Sequence, residues 1–411
     1  MKKNTVLLFL LAMQLSLMAQ IDKTNAIYRR SSLYTMMIKE PTRLHADVIT
    51  QTFINSPIPD KFNDHLLGSR EIDNAVPFSV REKDEKIKIQ EPNIANYLEE
   101  KKVARDMVAK WFNRTAKGTF DMKLIARRGS YNASEMDVKI AKSSKRGLAM
   151  LSDAGEELIA NTFVVVNDFD YVNKEEVANQ LKQGISILNK VADKVGDNLI
   201  KNENRVDASL TFVGKGYVVR TISYLYQLVW NDSVAAVFYN DYWMDENSFD
   251  AKKKRAFDNS DIFTLKFIGA EQALADLQST SRTKKTEEQL VAVATVRAID
   301  AVIAKLQRKF EVFRTKTPLF STEPLGAKIG LKEGLEKGDR YEVLEQVQDD
   351  EGRTRYRRKG VIKVDKDKIW DNRFMADEER EESGEAPQTI EFTIFSGPGK
   401  FYPGMLIRQI N

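Results

Sequence analysis

The apolar positions of this 411-residue chain fall into helical and strand-like patterns that divide it into regions. Ala104, Val108 and Trp111 share one helical face, with Val103, Met107 and Phe112 beside them, which predicts a helix within 92–112. The same spacing joins Leu181, Ile185, Leu188 and Val191 over 173–200, and Val293, Val296, Ile299, Ile303 and Leu306 over 286–310. Weaker helical patterns cover 46–54 and 143–158, the second interrupted by Gly147 and Gly155. Residues 32–38 read as a strand, and the continuous apolar run 162–166 reads as a strand buried on both faces. Two longer runs, 217–230 and 234–243, are joined through Asn231-Asp232-Ser233 and predict a β-hairpin. Another strand is expected at 262–268.

The N-terminus has its own pattern. Lys2 and Lys3 precede an apolar core at 6–13, and a polar break leads to Met18-Ala19-Gln20, which predicts a secretory signal peptide over 1–19. Leu17 departs from the small residue usual before such a cut. Residues 20–90 read as an extended, irregular lead-in. The stretch Ser56-Pro57-Ile58-Pro59-Asp60 opposes regular helix, and 81–90 is charged like a connector. Residues 91–315 form the expected α/β domain. From 316 to 411, Gly and Pro punctuate short strands at 327–329, 340–346, 355–364, 389–395 and 405–410, with an exposed acidic loop at 377–385. The expected fold is therefore α+β or α/β: a central α/β domain with a long β-hairpin, then a small β-barrel.

Composition narrows the chemistry. The chain has no Cys, which excludes disulfides, thiolate metal sites, cysteine nucleophiles and a lipobox anchor. Lys and Arg total 64 against 60 Asp and Glu, giving no global case for nucleic acid as a partner. No second apolar stretch has the length of a membrane span. Only His45 and His65 are present, and no Gly-x-Ser-x-Gly elbow accompanies them, so a Ser-His-Asp hydrolase is disfavoured. Gly214-Lys215-Gly216 and Gly397-Pro398-Gly399-Lys400 do not fit a phosphate loop, and Ser281-x-x-Lys284 lacks its companion elements. No cofactor is expected.

The run Gly330-Leu331-Lys332-Glu333-Gly334-Leu335-Glu336-Lys337-Gly338-Asp339-Arg340-Tyr341-Glu342-Val343 resembles the C-terminal SH3-like barrel that follows an α/β domain in some bacterial envelope proteins. Gly334 and Gly338 can relieve tight backbone positions there, and Asp339 can hydrogen-bond the turn. The order of elements before it is similar to the α/β domain of curli-secretion and flagellar-assembly envelope proteins. The segments 56–65 and 155–163 look like an uncharacterised family of exported bacterial proteins. These resemblances imply an envelope location, periplasmic or associated with the outer membrane.

Several residues are candidates for a site. Arg353, Arg355 and Arg357 alternate on a strand with Tyr356 between them, forming a basic patch for an anionic glycan, a lipid headgroup or an acidic protein face. A solvated strand edge protected by charge is the plainer account. Arg127 and Arg128 lie in an expected loop before Tyr131. Tyr226, Trp230 and Trp243 stand for the hairpin aromatics, as a docking face or as core. Asp60, Asp64 and His65, with Asn63, make the densest polar cluster; they are a weak candidate for a hard cation, and their spacing matches no calcium loop. The leading expectation is an exported, non-catalytic envelope protein that binds or scaffolds envelope components, including further copies of itself. The alternatives are a glycan-active enzyme using two carboxylates and a surface adhesin or secretion passenger.

Overall fold

The computed structural model describes residues 28–41, 45–73, 83–129, 155–156, 158–173, 215–279, 285–348, 354–365 and 367–410. The signal peptide, most of the helices expected over 143–158 and 173–200, and Arg353 lie outside the described residues. What is described is a mixed α/β structure with two sheets.

The first sheet is built on β1 (Ser31–Ile38), whose eight residues are all buried. It runs parallel to β4 (Thr162–Asn173), with Ser32 opposite Thr162 and Met37 opposite Asn167. Antiparallel β5 (Lys215–Leu228) and β6 (Leu265–Ser279) extend the sheet on that side. On the other side of β1 lie the short parallel strands β2 (Phe62–Asp64) and β3 (Glu71–Ile72). The helices are α1 (Ala46–Asn55), α2 (Lys83–Glu100), α3 (Val103–Trp111), α4 (Lys123–Gly129), α5 (Asp232–Val237), α6 (Ala251–Asp258), α7 (Glu287–Lys309) and α8 (Ala376–Ser383).

Side chains of the sheet alternate between two cores, as the strand period requires. Tyr34, Met36, Val164, Val166, Ile222 and Tyr224 pack with Ile94, Leu98 and Trp111 of α2 and α3. Leu33, Phe163, Val165, Val219 and Leu225 pack with Phe53 of α1 and Val291, Ala294 and Ile303 of α7. The α7 stripe agrees with its sequence pattern. Its start is fixed by a capping box: Thr286 Oγ1 accepts from Gln289 N–H at 3.3 Å, and Gln289 Oε1 accepts from Thr286 N–H at 2.8 Å.

The second sheet comprises β7 (Thr317–Thr322), β8 (Leu325–Ala327), β9 (Arg340–Gln348), β10 (Thr354–Val364), β11 (Thr393–Ser396) and β12 (Leu406–Ile410). These six antiparallel strands pair in the order β10-β11-β8-β7-β12-β9, and β9 pairs back to β10, closing a ring. Leu319, Val343, Ile362, Phe395 and Ile407 fill it. The ring sits on the polar side of α7. Arg308 donates to both carboxylate oxygens of Asp339 (3.1 and 2.9 Å) and to the carbonyl of Gly334 (2.8 Å). Gly334 and Gly338 have φ of 68° and 86°, and Asp339 accepts from the N–H of Glu336 at 2.9 Å, so the turn chemistry read from the sequence is the one used.

Other expectations are corrected. Residues 234–243 are helical, not the second arm of a hairpin: α5 begins at Asn231, whose side chain accepts from Val234 N–H, and a π-helical turn covers Phe238–Tyr242. Phe238 and Tyr242 stand one turn apart and both pack on Phe257, a helical contact that a dense aromatic run disguised as strand. The true antiparallel neighbours of β5 are β4 and β6. β6 is far longer than 262–268, continuing through Ala-, Glu- and Gln-rich sequence because β5 offers a ladder along its whole length.

The lead-in is not irregular, since β1 sits between β2/β3 and β4. Residues 83–90 belong to helix α2, whose buried stripe starts with the polar pair Lys86 and Gln90 before Ile94 and Leu98. The acidic stretch forms α8, where Asp377, Glu378 and Glu379 in the first turn favour the helix dipole. Arg127 and Arg128 end α4 rather than lying in a loop.

Gly269 is where β6 approaches α7 most closely. Its φ is 154°, and a Cβ there would come within 2.4 Å of the Phe310 ring. Gly269→Ala should therefore lower stability by about 2 kcal/mol. Combining it with Phe310→Leu should recover part of that loss in a denaturant double-mutant cycle; strict additivity would show that the close approach does not matter.

Candidate functional site

Between the ring and the loop that leads into β2 lies an open groove of about 610 Å³. One wall comes from residues 28–29 and 60–61. The other comes from β7, the segment 328–333 and residues 370–377. Four lysines line it: Lys61, Lys316, Lys328 and Lys332. Their ammonium groups make no ion pair with a carboxylate of the described residues.

Two of the four rest on aromatic rings instead. Lys316 Nζ lies 4.3 Å from the centroid of Tyr356, and Lys328 Nζ lies 4.5 Å from that of Phe320. Burial, followed by the nearby Arg30 and Arg408 guanidinium groups, pushes the Lys316 ammonium down to about 8. Burial likewise lowers Lys61. Burial is the larger cause in both; Glu342 opposes the fall at Lys316 and Glu333 opposes it at Lys61.

The acids along the groove do not supply that match. Glu333 Oε2 accepts from Gly330 N–H at 2.7 Å and from Asn372 Nδ2 at 2.9 Å, ordering the backbone there. Burial alone would raise Asp371, but the Arg373 side chain donates to both its oxygens (2.8 and 2.7 Å) and holds the carboxyl below its ordinary range. Asp60 and Asp377 complete the acidic lining. Asp300 of α7 is partly buried nearby. Burial raises its carboxyl to about 7, with Lys332 opposing the rise and Glu333 and Asp60 adding to it.

The residues singled out from sequence are scattered. Arg355 and Arg357 are exposed on the outside of β10, and Arg357 is paired with Glu345. Tyr356 points the other way. Its hydroxyl is hydrogen-bonded to that of Tyr28 and accepts from Arg30 at 2.9 Å, so the tyrosine of the basic strand, not its arginines, reaches the groove wall. Tyr226 is buried, with its hydroxyl 3.3 Å from the carbonyl and a carboxylate oxygen of Glu91. Trp230 and Trp243 are partly buried and pack against Phe112 and Phe238 of the core.

The polar cluster at 60–65 also separates. Asp60 lines the groove, and the Asp64 side chain accepts from Leu66 N–H at 2.7 Å. His65 is fully buried. Among the described residues no three His, Asp or Glu side chains come together as a metal site. Arg128, exposed in expectation, is buried beside His65. Its Nη1 donates to His65 Nδ1 at 2.8 Å and to Ser32 Oγ at 3.1 Å, its Nη2 donates to the Asp64 carbonyl at 2.6 Å, and its guanidinium lies 4.3 Å from the Trp111 ring centroid. Arginine can only donate, so His65 Nδ1 is the acceptor and Nε2–H donates to the Met107 carbonyl at 3.0 Å. Burial and then Arg128 keep this histidine well below its ordinary pKa. The cluster ties β1, β2, α3 and α4 together.

Two carboxylates do share one face of β4. Asp168 is paired with Lys86 at 2.6 Å and Asp170 with Arg220 at 2.7 Å, and all four side chains are buried. Each acid already holds a cation within the structure, which is not the arrangement of a free acid and base astride a glycosidic bond. The groove lysines were missed from sequence because they come from three separate segments, with Lys328 and Lys332 sharing one.

No protein-family model matches this chain, and no curated protein is similar to it. Among the described residues no helix is long and apolar enough to cross a membrane.

Replacing Arg128 with Ala should cost about 3 kcal/mol in denaturant titrations, because it strands buried acceptors on Ser32, Asp64 and His65. A loss typical of a surface site would show that the cluster is not a structural tie. Asp300 has the opposite character. The folded state keeps its proton from the ordinary 3.8 up to about 7, so this group's contribution to stability falls as pH rises through that interval. Asp300→Asn should raise Tm at pH 8 and remove that part of the slope in melts from pH 4 to 8; an unchanged profile would show that the carboxyl is not strained.

Proposed function

We propose that this chain is an exported, non-catalytic protein of the cell envelope that binds or scaffolds other envelope components, and that it holds an anionic component in the lysine groove. The observation that carries the reading is the set of four lysines without carboxylate partners around one open cavity, two of them laid on aromatic rings. Positive charge so arranged gains most when a ligand brings the missing negative charge.

The remaining features fit a binding role. The carboxylate pair on β4, Asp168 and Asp170, is engaged with Lys86 and Arg220. The six-stranded ring takes the place of the SH3-like barrel expected at the C-terminus, and we read it as a small barrel of that kind attached to an α/β unit, with the groove along their junction. Export rests on the N-terminal pattern at 1–19.

A photocrosslinking residue introduced at Lys328 should capture the partner in intact cells. The double variant Lys61→Glu, Lys332→Glu should lose the adduct while keeping its Tm. Undiminished capture by that folded variant would remove the groove from the proposal.

A further inference from the structure

We infer that the groove's occupant is an acidic glycan, a chain of sugar rings bearing carboxylates; this rests on the groove being the binding site proposed above. Three features of the lining converge on that class of ligand.

The first is the kind of cation left free. The groove's arginines are engaged: Arg373 grips Asp371, and Arg29 Nε donates to the Asp60 carbonyl at 2.6 Å. Arg29 spends one donor on that backbone carbonyl and has no carboxylate partner among the described residues, so the unpaired charges are four lysine ammonium groups and one guanidinium, and compact point charges outnumber the planar fork that suits a single phosphate. They come from separate segments, so they meet negative charges distributed along a ligand rather than one concentrated headgroup.

The second feature is the presence of acceptors among those cations. Asp60 and Asp377 line the same cavity. Carboxylates repel a densely charged phosphate polymer, which has no hydroxyl to offer them. A sugar offers several hydroxyl donors per ring, and these acids can accept from them.

The third feature is the aromatic surface. Trp370 lines the groove and is only partly buried, an aromatic ring of the size a pyranose covers, whereas the Phe320 ring is taken up by Lys328 and Phe392. A phospholipid would need apolar surface for its chains, yet of the large exposed apolar side chains Ile54, Ile89, Phe249, Val312, Phe374 and Tyr402 none lines the cavity, and a single ring, Phe374, stands beside it in the wall segment 370–377.

The test uses the full chain after removal of residues 1–19 and calorimetric titration with four probes: oligogalacturonate, its methyl ester, polyphosphate, and phosphatidylglycerol vesicles. Oligogalacturonate should bind, and methyl esterification should weaken it by about tenfold or more through loss of the charges. Trp370→Ala should weaken oligogalacturonate by about tenfold, while Trp370→Phe retains most of the affinity because it keeps a ring face. Should Trp370→Ala fail to fold, Trp370→Leu, which keeps apolar bulk without a ring face, serves the same purpose.

Lys61→Glu with Lys332→Glu should abolish the binding. Lysine-dependent binding of polyphosphate or vesicles, equal to or tighter than that of the oligosaccharide, would overturn the glycan inference and leave the groove as an anion site. Equal affinity for the acid and its methyl ester would also overturn it. Binding of no probe would overturn the inference and the groove reading together.

Discussion

The helix Glu287–Lys309 has to satisfy two neighbours of opposite character, and the arrangement of the molecule follows from how it does so. One side carries Val291, Ala294, Ile303 and Leu306 into the core beneath the first sheet. The other side holds the second sheet through charge: Arg308 to Asp339, Arg297 to Glu379 and Lys285 to Glu382. Apolar burial can fuse one side seamlessly because it has no direction. Polar ties fix points and leave space between them. The groove lies beside these ties, bounded where the loop before β2 and the segment 328–333 approach without closing.

This division also explains where charge is tolerated inside the molecule. Lys86 with Asp168 and Arg220 with Asp170 are buried and matched, as are Arg128 and its acceptors. Removing either member of such a set leaves an uncompensated group, whereas the intact set adds little net stability and specifies which elements belong together. The groove lysines are the contrast. Lys61 and Lys316 are partly desolvated, none of the four has a carboxylate partner among the described residues, and aromatic rings lie under Lys316 and Lys328.

Much of the architecture was legible in local sequence, and the site was not. The α7 stripe and its capping Thr286, the buried run 162–166, the strand at 32–38 and the Gly-Asp turn at 334–339 each depend on neighbours a few residues away. The pairing of β1 with β4 depends on a partner far along the chain, so the region before residue 90 looked irregular. The run 234–243 was misread because aromatic density satisfies the strand alternation as well as the helical one. Helix α2 hid its buried face behind Lys86 and Gln90. The groove draws on residues near 28, 60, 320, 330 and 371, and no window of sequence contains more than a fragment of it.

The register of β1 has a temporal consequence. This strand is the first element among the described residues, yet its neighbour β4 is made only after α1 to α4 have been added, and the sheet reaches β6 later still. Parallel pairing over such a separation gives no early local reward, because loop closure must come before the ladder forms. The N-terminal third can therefore reach its final sheet position only when much of the rest is present. A polypeptide organised in this way completes its first sheet late in its synthesis.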